Sequence, residues 1–257
     1  MSQQRSNKHR ILPLEGAVNF RDLGGYPVGE GRQTRWRRLF RSDSLAALTD
    51  RDVQHVAALE LYGLVDFRVP KERATHRNRL PAGATMRIVE LGFWPQGVPE
   101  MLDALRELRI DAVGIERAVT EHYRLYPVQH CAEYRGMLEE VEAAAGRPML
   151  IHCVSGKDRT GFGAAVILMA LGATKSVIIE DYLLTNAHRR DIGHLMPPGT
   201  PASVVDVFTA AKPAFIEAAF EEIETAYGDI ASYLARGLGF DAERCRRLRD
   251  QLTEPAC

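Results

Sequence analysis

The sequence predicts an α/β protein with a mostly parallel central sheet flanked by helices. Short apolar runs bounded by turn residues, typical of buried strands, alternate with longer segments in which apolar residues recur at helical spacing. Parallel strands need a long crossover between them, which is usually a helix. The chain has 257 residues, of which 46% are hydrophobic and 26% charged, so it has the composition of a globular protein rather than a disordered one.

Turn and cap signals place the first elements. Gly24 and Gly25 mark a turn ahead of the first predicted strand. Thr49 is a candidate N-cap for a helix that runs to Leu61, and Gly63 ends it. The predicted strands lie at residues 39–42, 64–68, 87–91 and 149–152.

Most of the second half is predicted to be helical. Residues 99–145 have a helical pattern with breaks near 111–114 and at Pro127. Gly172 is a natural C-cap and Thr174 a natural N-cap, so they separate two helices. The helices after residue 145 are predicted at 160–171, 174–187, 204–211, 213–227 and 241–252.

The chain shows no internal repeat and no linker, so we predict one domain over residues 1–257. Residues 1–12 are expected to form a flexible tail, and about 97–146 a helical insertion. The first ten residues lack the apolar core of a signal peptide, and the longest apolar stretch, 162–173, is shorter than the roughly 20 residues that span a bilayer. Four cysteines without a CxxC pair predict neither disulfides nor a zinc site. We expect a cytoplasmic protein without metal or cofactor.

The most informative segment is the loop IHCVSGKDRTG at residues 151–161. Cys153 follows a buried strand, and Arg159 stands at the entry to a helix after five intervening residues. Backbone N–H groups of a tight loop, a helix N-terminus and a bidentate Arg together suit a phosphate. The same field favours the thiolate of Cys153, which is the nucleophilic form. The loop therefore predicts a phosphate cradle around a reactive cysteine.

An inert buried cysteine near an arginine is the alternative that the spacing alone leaves open. The continuation through Lys157 and Thr160 makes the string far more specific than the spacing. A nucleotide P-loop is excluded, because Ile151 stands where that motif needs Gly and Asp158 where it needs Ser or Thr.

The loop resembles the signature of cysteine-dependent protein tyrosine phosphatases. It is most similar to the loop of a bacterial family of tyrosine and lipid phosphatases with HCxxGKDRTG motifs, which has mycobacterial and listerial members. The resemblance covers residues 19 to about 252 and implies the cysteine-dependent phosphatase fold, with residues 97–146 as a lid over the active site. The other segments that resemble this family are NFRDLGGY at 19–26, LFRSDSLAALT at 39–49, VDFR at 65–68 with Glu72 after it, and DYLLTN at 181–186.

Carried over onto this sequence, the resemblance implies that Cys153 is a nucleophile that forms a phosphocysteine. Arg159 would bind the phosphate and stabilise the transition state. Thr160 would donate its hydroxyl to the thiolate, and His152 would orient the loop. Lys157 would add positive charge for highly anionic or inositol phosphates. The implied phosphate-binding set is Val154, Ser155, Gly156, Lys157, Arg159 and Thr160.

The same reaction needs a carboxyl group that protonates the leaving oxygen and later deprotonates water. Conventional tyrosine phosphatases supply it from a Trp-Pro-Asp loop, but the similar segment FWPQGVP at residues 93–99 has Gln96 in that place. Glutamine cannot transfer a proton in this way. Asp158 is therefore the first candidate for the acid and base, and Asp66 the second.

Further residues have expected supporting roles. Asp66 would otherwise hold the loop through a salt bridge with Arg68 or Arg159. Arg21 is expected to pair with Asp22 within its turn, with a direct substrate contact as the alternative. A basic run is expected to form a half-exposed strand face, with steering of phosphorylated substrates or contact with anionic lipid as the alternative; its members are Arg32, Arg35, Arg37, Arg38 and Arg41.

The predicted function is a dual-specificity protein-tyrosine phosphatase that hydrolyses phosphotyrosine and, as a second substrate class, phosphoinositides. Phosphate or another oxyanion is the expected ligand of the loop. The chain has 33 Lys and Arg against 34 Asp and Glu, a net charge of −1, which offers no broad attraction for nucleic acid or for stable membrane association. A phosphate-binding pseudo-phosphatase and a sulfurtransferase-like protein are the alternatives.

Overall fold

The structure is a computed structural model that describes residues 9–83, 85–190 and 196–256. Five of its strands form a central sheet with the order β1-β4-β7-β5-β6, in which every neighbouring pair is parallel except β1 and β4. The predicted α/β class with a mostly parallel sheet is confirmed. The strands of the described ranges are β1 (Arg21–Asp22), β2 (Pro27–Val28), β3 (Arg32–Thr34), β4 (Leu39–Ser42), β5 (Gly63–Asp66), β6 (Arg87–Glu90), β7 (Met149–His152) and β8 (Thr253–Pro255).

The register of the three inner strands brings their carboxyl ends to one level. Ser42 of β4 and Asp66 of β5 both stand opposite His152 of β7. All three strands are fully buried, as is typical of the inner strands of a parallel sheet, and polar residues stand at or near their carboxyl ends. The loop that begins at Cys153 therefore starts at the carboxyl edge of the sheet, where ligands of open α/β sheets bind.

A second, antiparallel sheet has the order β2-β3-β8 and was not predicted. Its strands have only two or three residues, too few to show an alternating pattern. β8 pairs the C-terminal end of the chain with β3, so Thr34 stands opposite Thr253.

The helices follow the predicted caps more closely than the predicted lengths. Thr49 accepts a hydrogen bond from the Asp52 N–H, Thr174 accepts one from Val177, and Gly172 ends its helix with a φ of 89°. The described helices are α1 (Asp50–Ala57), α2 (Pro70–Thr75), α3 (Val98–Arg106), α4 (Ala112–Gln129), α5 (Cys131–Ala143), α6 (Arg159–Leu171), α7 (Lys175–Leu183), α8 (Ala202–Thr209), α9 (Pro213–Tyr227) and α10 (Ala242–Leu252), with helical turns at Leu184–Ala187, Ile230–Ser232 and Tyr233–Gly237.

Besides these lengths, the position of the helix break differs from the prediction. Pro127 lies inside α4, and the break comes at His130, between α4 and α5. Residues 1–8 of the predicted tail lie outside the described residues; of the next few, Arg10 is buried with its guanidinium over the Tyr26 ring, and Ile11 pairs with Arg21.

The core centres on α6, in which every residue after Arg159 is buried. The apolar stretch that the sequence shows there belongs to this core helix. Among the described residues, no helix is long and apolar enough to cross a membrane. α4 packs along α8 and α9, and α5 packs against α6. The helices of residues 97–146 therefore reach the element that follows the loop at residues 153–158.

Candidate active site

The predicted cradle is a tight turn between β7 and α6. Gly156 has a φ of +66°, and a Cβ added to it would lie 2.6 Å from the carbonyl oxygen of Ser42. Only glycine fits such a left-handed position so close to another backbone. The chain thereby folds back toward the end of β4 before α6 begins at Arg159.

Three residues outside the loop hold its backbone in place: Asn19, Arg41 and Ser44. We call them the scaffold, and they fix the orientation of three consecutive peptide groups of the loop. Because C=O and N–H point in opposite directions in a trans peptide, the N–H groups of Ser155, Gly156 and Lys157 point away from the scaffold. Those of Ser155 and Gly156 are turned as a phosphate cradle requires, whereas the N–H of Lys157 donates to Ser155 Oγ at 3.3 Å. The three carbonyls that the scaffold holds are Val154 O, by the backbone N–H of Ser44 (2.9 Å), Ser155 O, by the side-chain amide of Asn19 (3.1 Å), and Gly156 O, by a guanidinium nitrogen of Arg41 (2.5 Å).

A buried ion cluster lies beneath this scaffold. Asp181 Oδ1 accepts from Nε of Arg21 at 3.0 Å, and its Oδ2 accepts from Nη1 of Arg41 at 2.6 Å. Tyr26 donates its hydroxyl to the same carboxylate at 3.0 Å. Burial alone would raise the pKa of Asp181, but the two guanidinium charges hold it well below its usual range. The cluster joins β1, β4 and α7 and positions Arg41 against the loop.

The expected nucleophile, Cys153, and the residue expected to donate a hydrogen bond to its sulfur, Thr160, are both buried. Cys153 is 1% exposed and Thr160 is fully buried. The Thr160 hydroxyl has no hydrogen-bond partner among the described residues. A buried hydroxyl seldom stays unpaired, so its free proton suits donation to an anion at this site.

Arg159 is held from one side by an acidic partner. Two of its guanidinium nitrogens bind the carboxylate of Glu72 at 2.8 and 2.9 Å, and Nη1 also donates to the carbonyls of Phe67 (2.8 Å) and Phe93 (3.3 Å). Burial would lower the pKa of Arg159, but the Glu72 hydrogen bonds and the negative charges of Cys153 and Glu72 raise it above its ordinary value. The guanidinium is thus permanently charged and fixed in orientation.

Asp158 and Lys157 lie close together but differ in exposure. Asp158 has a side chain that is 32% exposed, and its Oδ1 accepts from the Tyr123 hydroxyl at 3.2 Å. Lys157 is 3% exposed, and its Nζ donates to the carbonyl of Phe208 at 2.6 Å, near the end of α8. Nζ also lies 5.9 and 5.8 Å from the ring centroids of Phe208 and Phe215. The ammonium group therefore binds the carbonyl of Phe208 and also lies 3.5 Å from Asp158 Oδ1.

The comparison with protein families decides the class. The sequence profile of the tyrosine phosphatase family matches residues 12–254. The chain belongs to this tyrosine phosphatase family. The resemblance that the sequence predicted is confirmed, as is the predicted enzyme class, protein-tyrosine phosphatase.

Relatives with curated names agree with the family. The phosphatase is 28% identical to the triple specificity protein phosphatase PtpB of Mycobacterium tuberculosis over 94% of this chain and 99% of that protein. A Cupriavidus necator protein, provisionally named a tyrosine-protein phosphatase, is 27% identical over 91% of this chain and 86% of its own. Among solved structures, TpbA of P. aeruginosa covers 74% of this chain and 90% of its own at 19% identity, with a TM-score of 0.36.

In this phosphatase the second candidate for the acid, Asp66, is a buried anchor. Its Oδ2 lies 2.7 Å from Nη2 of Arg68 and 3.3 Å from Nε2 of His152. Burial would raise the pKa of Asp66, but the hydrogen bonds of His152 and Arg68 outweigh it and hold that pKa well below its usual range. A carboxylate that stays ionised has no proton to donate. Of the two readings of Asp66, the structure favours the salt bridge, and its partner is Arg68.

His152 lies between the sheet and the loop. It is fully buried, with Nε2 against Asp66 and Nδ1 3.2 Å from the carbonyl oxygen of Cys153. The ring thereby ties the end of β7 to the first residue of the loop.

The expected pairing of Arg21 with Asp22 is wrong. Arg21 binds Asp181 instead, because its fully buried side chain points toward α7. Asp22 accepts from the backbone N–H groups of Gly24 and Arg37. With one backbone donor in its own turn and another beyond β3, Asp22 does not need the guanidinium.

The basic run divides between two environments. Arg32 and Arg35 are half-buried and bind Thr253 of β8. Arg41 does not lie on the expected half-exposed face; it is fully buried in the Asp181 cluster. Its role in holding the loop was missed, since a residue 115 positions from Gly156 carries no local signal of that contact.

The segment that resembles a Trp-Pro-Asp loop lies beside the cradle. The carbonyl oxygen of Phe93 accepts a hydrogen bond from Arg159. The Gln96 side chain is exposed and accepts a hydrogen bond from Gln129 of α4. The segment therefore contacts the arginine through its backbone. Among the described residues, no group of three or more His, Cys, Asp or Glu side chains could hold a metal ion.

Proposed function

We propose that this tyrosine phosphatase hydrolyses phosphotyrosine through a phosphocysteine intermediate on Cys153. The observation that carries the proposal is the set of three loop carbonyls held by Asn19, Arg41 and Ser44. It turns consecutive N–H groups toward the position a phosphate would occupy, beside a charged and fixed Arg159.

In the first step, Sγ of Cys153 attacks the phosphorus and the bond to the leaving oxygen breaks. The N–H groups of the loop and Arg159 bind the non-bridging oxygens, whose negative charge they stabilise. Asp158 gives its carboxyl proton to the leaving oxygen, so that the product departs as a neutral phenol.

In the second step, water attacks the phosphocysteine and the S–P bond breaks. The carboxylate of Asp158 takes a proton from the water, so one group serves both steps. Thr160 donates its hydroxyl to the departing thiolate, which lowers the cost of expelling it. Inorganic phosphate and the Cys153 thiolate are the products.

Asp158 is the proposed acid because of where its side chain lies. It belongs to the loop itself and is partly exposed, whereas Asp66 is 1% exposed beneath the loop and bound to Arg68. A proton donor must reach the leaving oxygen, and only the first of these carboxyl groups is on the accessible side of the backbone.

Phosphoinositides are the second proposed substrate class. The mycobacterial relative is named a triple specificity phosphatase, which supports a breadth beyond phosphotyrosine. Lys157 is the proposed contact for an additional phosphate. To serve it, the Lys157 ammonium must leave the Phe208 carbonyl that it now binds.

Residues 97–146 are proposed to be an insertion within a single phosphatase domain of residues 1–257. α4 brings the Tyr123 hydroxyl to Asp158, and α5 brings the Tyr134 hydroxyl to the carbonyl of Arg159 at 3.2 Å. The sequence left open whether these helices are an insertion or a lid over the active site. The two contacts support the insertion.

The test is turnover of a phosphotyrosine peptide by the wild type and by Cys153→Ser. We expect the variant to bind phosphate and lose turnover, and the wild type to form a phosphoenzyme that acid quench traps. Cys245→Ser, at another buried cysteine, is the matched control and should remain active. Vanadate should inhibit the wild type, and a chelator should not. Turnover by Cys153→Ser, or loss in chelator that a divalent metal restores, would contradict the covalent mechanism.

The same experiment separates the alternatives. A pseudo-phosphatase would bind phosphate without turnover in the wild type. A sulfurtransferase-like protein would transfer sulfur from thiosulfate and leave the phosphopeptide intact.

A further inference from the structure

Two buried tyrosines stand behind the proposed acid. The Tyr123 hydroxyl, on α4, lies 3.2 Å from Asp158 Oδ1 and 2.9 Å from the hydroxyl of Tyr182, on α7. Tyr123 is fully buried and Tyr182 is 1% exposed. The three groups form a chain that leads from the core to the mouth of the loop.

The direction of the protons in this chain follows from the strengths of the acceptors. Tyr123 has a single hydroxyl proton and three acceptors within reach: Asp158 Oδ1 at 3.2 Å, the carbonyl oxygen of Lys157 at 3.4 Å and the Tyr182 hydroxyl at 2.9 Å. An ionised carboxylate is the strongest of these acceptors, so we assign the Tyr123 proton to Asp158 and the proton between the two hydroxyls to Tyr182. Burial raises the pKa of both tyrosines well above the ordinary value, so neither loses its proton near neutral pH.

The surroundings keep the chain dry and oriented. The Tyr123 ring lies 5.1 Å from the centroid of Tyr126, 5.8 Å from Tyr182 and 5.9 Å from Phe215, which fixes its position through packing. The other charged or titratable groups facing Asp158 are His122 and Tyr126 of α4, and Lys157, whose Nζ lies 3.5 Å from Oδ1, with Arg159 and Cys153 in the same loop.

Both contacts that the described residues make with the Asp158 carboxyl reach the same oxygen. Tyr123 and Lys157 approach Oδ1, from the buried side. With that oxygen occupied by a donor, a proton on the carboxyl group is carried by Oδ2. A carboxyl group held in this way presents its proton in one direction instead of rotating.

We propose that Tyr123 is a positioning residue for proton transfer, which holds Asp158 by Oδ1 so that Oδ2 carries the transferable proton, and that Tyr182 holds Tyr123. The inference rests on the proposed role of Asp158 and adds two residues that never touch the substrate.

The experiment compares Tyr123→Phe with the wild type on aryl phosphates whose leaving phenols range from strongly to weakly acidic. Tyr→Phe removes one oxygen and keeps the packed ring. We expect kcat to fall roughly tenfold or more for the weakly acidic phenols and about twofold for the strongly acidic ones, which need little protonation. Tyr182→Phe should show the same trend with a smaller loss.

Tyr233→Phe is the matched control, because Tyr233 is also fully buried and its hydroxyl has no partner among the described residues. It should leave the leaving-group dependence unchanged. Vanadate affinity and circular dichroism of each variant report whether the loop and fold persist. A loss in Tyr123→Phe that is equal for every leaving group would overturn the proposal.

A double variant separates this inference from the role of Asp158. In the Asp158→Asn background, Tyr123→Phe should cause less than about a twofold further loss, since the two changes disable one function. Losses that multiply would overturn the positioning role. If Asp158→Asn alone shows no leaving-group dependence, the acid assignment fails and the inference with it. If it does and Tyr123→Phe does not, only the inference fails.

Discussion

Arg159 shares its charge between Glu72 and the proposed phosphate. The bidentate contact uses two nitrogens of the guanidinium and leaves the carboxylate as a fixed reference for its plane. Orientation and neutralisation act in opposite directions here: Glu72 binds the Nη1–Nη2 edge of the guanidinium and fixes its plane, and its charge also weakens the net attraction of Arg159 for an anion. Orientation is expected to be the larger effect, because a phosphate keeps strong charge-assisted bonds only with a guanidinium whose plane is fixed.

Glu72→Gln tests this balance. The amide keeps one acceptor but must turn its NH₂ group toward a guanidinium N–H, so the fork loosens. We expect kcat/KM for a phosphotyrosine peptide to fall about tenfold, or about 1.4 kcal/mol. The control is Glu90→Gln, at an exposed partner of Arg73. A gain in vanadate affinity in Glu72→Gln would show that neutralisation is the larger effect.

The proton donor can be identified by three substitutions. Asp158→Asn should slow phosphates of weakly acidic phenols by about 10² or more, and those of strongly acidic phenols much less. Gln96→Ala should change rates little, since Gln96 is exposed and binds Gln129. Asp66→Asn should mainly reduce stability, because it leaves Arg68 buried with a weaker partner. Leaving-group dependence in Asp66→Asn but not in Asp158→Asn would contradict the assignment.

At the residue scale, the sequence could predict those site residues that lie next to one another in the chain. Cys153, Arg159 and Thr160 lie within one short string, and that string alone indicates an oxyanion cradle. Asn19 and Arg41 hold the same loop from more than a hundred residues away, so their contacts follow only from the fold. The segments NFRDLGGY and DYLLTN, quoted for the family resemblance, contain Asn19 and Asp181. The sequence does not show which residues these side chains contact.

At the scale of elements, Asp181 connects three of them. Arg21 of β1 and Arg41 of β4 both bind this one carboxylate of α7, and all three side chains are buried. Two cations around one anion leave the cluster dependent on Asp181, since without it two guanidinium groups would remain buried and mutually repelling.

Asp181→Asn should therefore destabilise the protein by about 3–5 kcal/mol at pH 7. The folded-state pKa of Asp181 is depressed, so its contribution is complete above about pH 5 and declines as pH falls through the unfolded-state value near 4. The stability difference between wild type and variant, from urea denaturation, should accordingly shrink between pH 5 and pH 3. The control, Asp206→Asn, removes an exposed partner of Arg189 and should cost under about 1 kcal/mol. A difference that stays constant down to pH 3 would mean that the charge of Asp181 contributes nothing.

The elements themselves could be predicted where periodicity or a cap is strong. The parallel strands β4, β5, β6 and β7 and the core helix α6 follow from apolar runs and turn residues. The antiparallel pairing of β8 with β3 could not, because strands of three residues are defined by their partners rather than by their own pattern.

At the scale of the whole molecule, two helical regions meet at the loop. α4 supplies Tyr123 to Asp158, while Lys157 reaches out of the loop to the last turn of α8. The loop is thus connected to residues both before and after it in the chain. The sequence indicated a second cation in the loop with Arg159; only the packing of α8 and α9 determines that its ammonium donates to the Phe208 carbonyl.

Substrate breadth depends on this arrangement. The net charge of −1 gives no general attraction for a polyanion, so any preference for a second phosphate must be local. Moving Lys157 away from Phe208 sacrifices a hydrogen bond and also separates Nζ from Asp158 Oδ1, 3.5 Å away. An ammonium about 4 Å from a phosphate gains roughly 4 kcal/mol at an effective dielectric of about 20. Recruitment of Lys157 by a substrate with more than one phosphate therefore requires this attraction to exceed the loss of both contacts.

Lys157→Ala should therefore lower kcat/KM for a phosphoinositide by roughly tenfold more than for a phosphotyrosine peptide. Because the substitution also removes the anchor of α8, Lys157→Met is measured beside it to retain the buried stem without the charge. The charge-matched control is Lys212→Ala. Lys212 directly precedes α9 and pairs with Glu116 of α4, so its loss should affect both substrates equally. Equal losses on both substrates in the Lys157 variants would mean that Lys157 only anchors α8. A wild type that hydrolyses phosphotyrosine and no phosphoinositide would contradict the proposed breadth, because the cost of moving Lys157 would then exceed the attraction of the second phosphate.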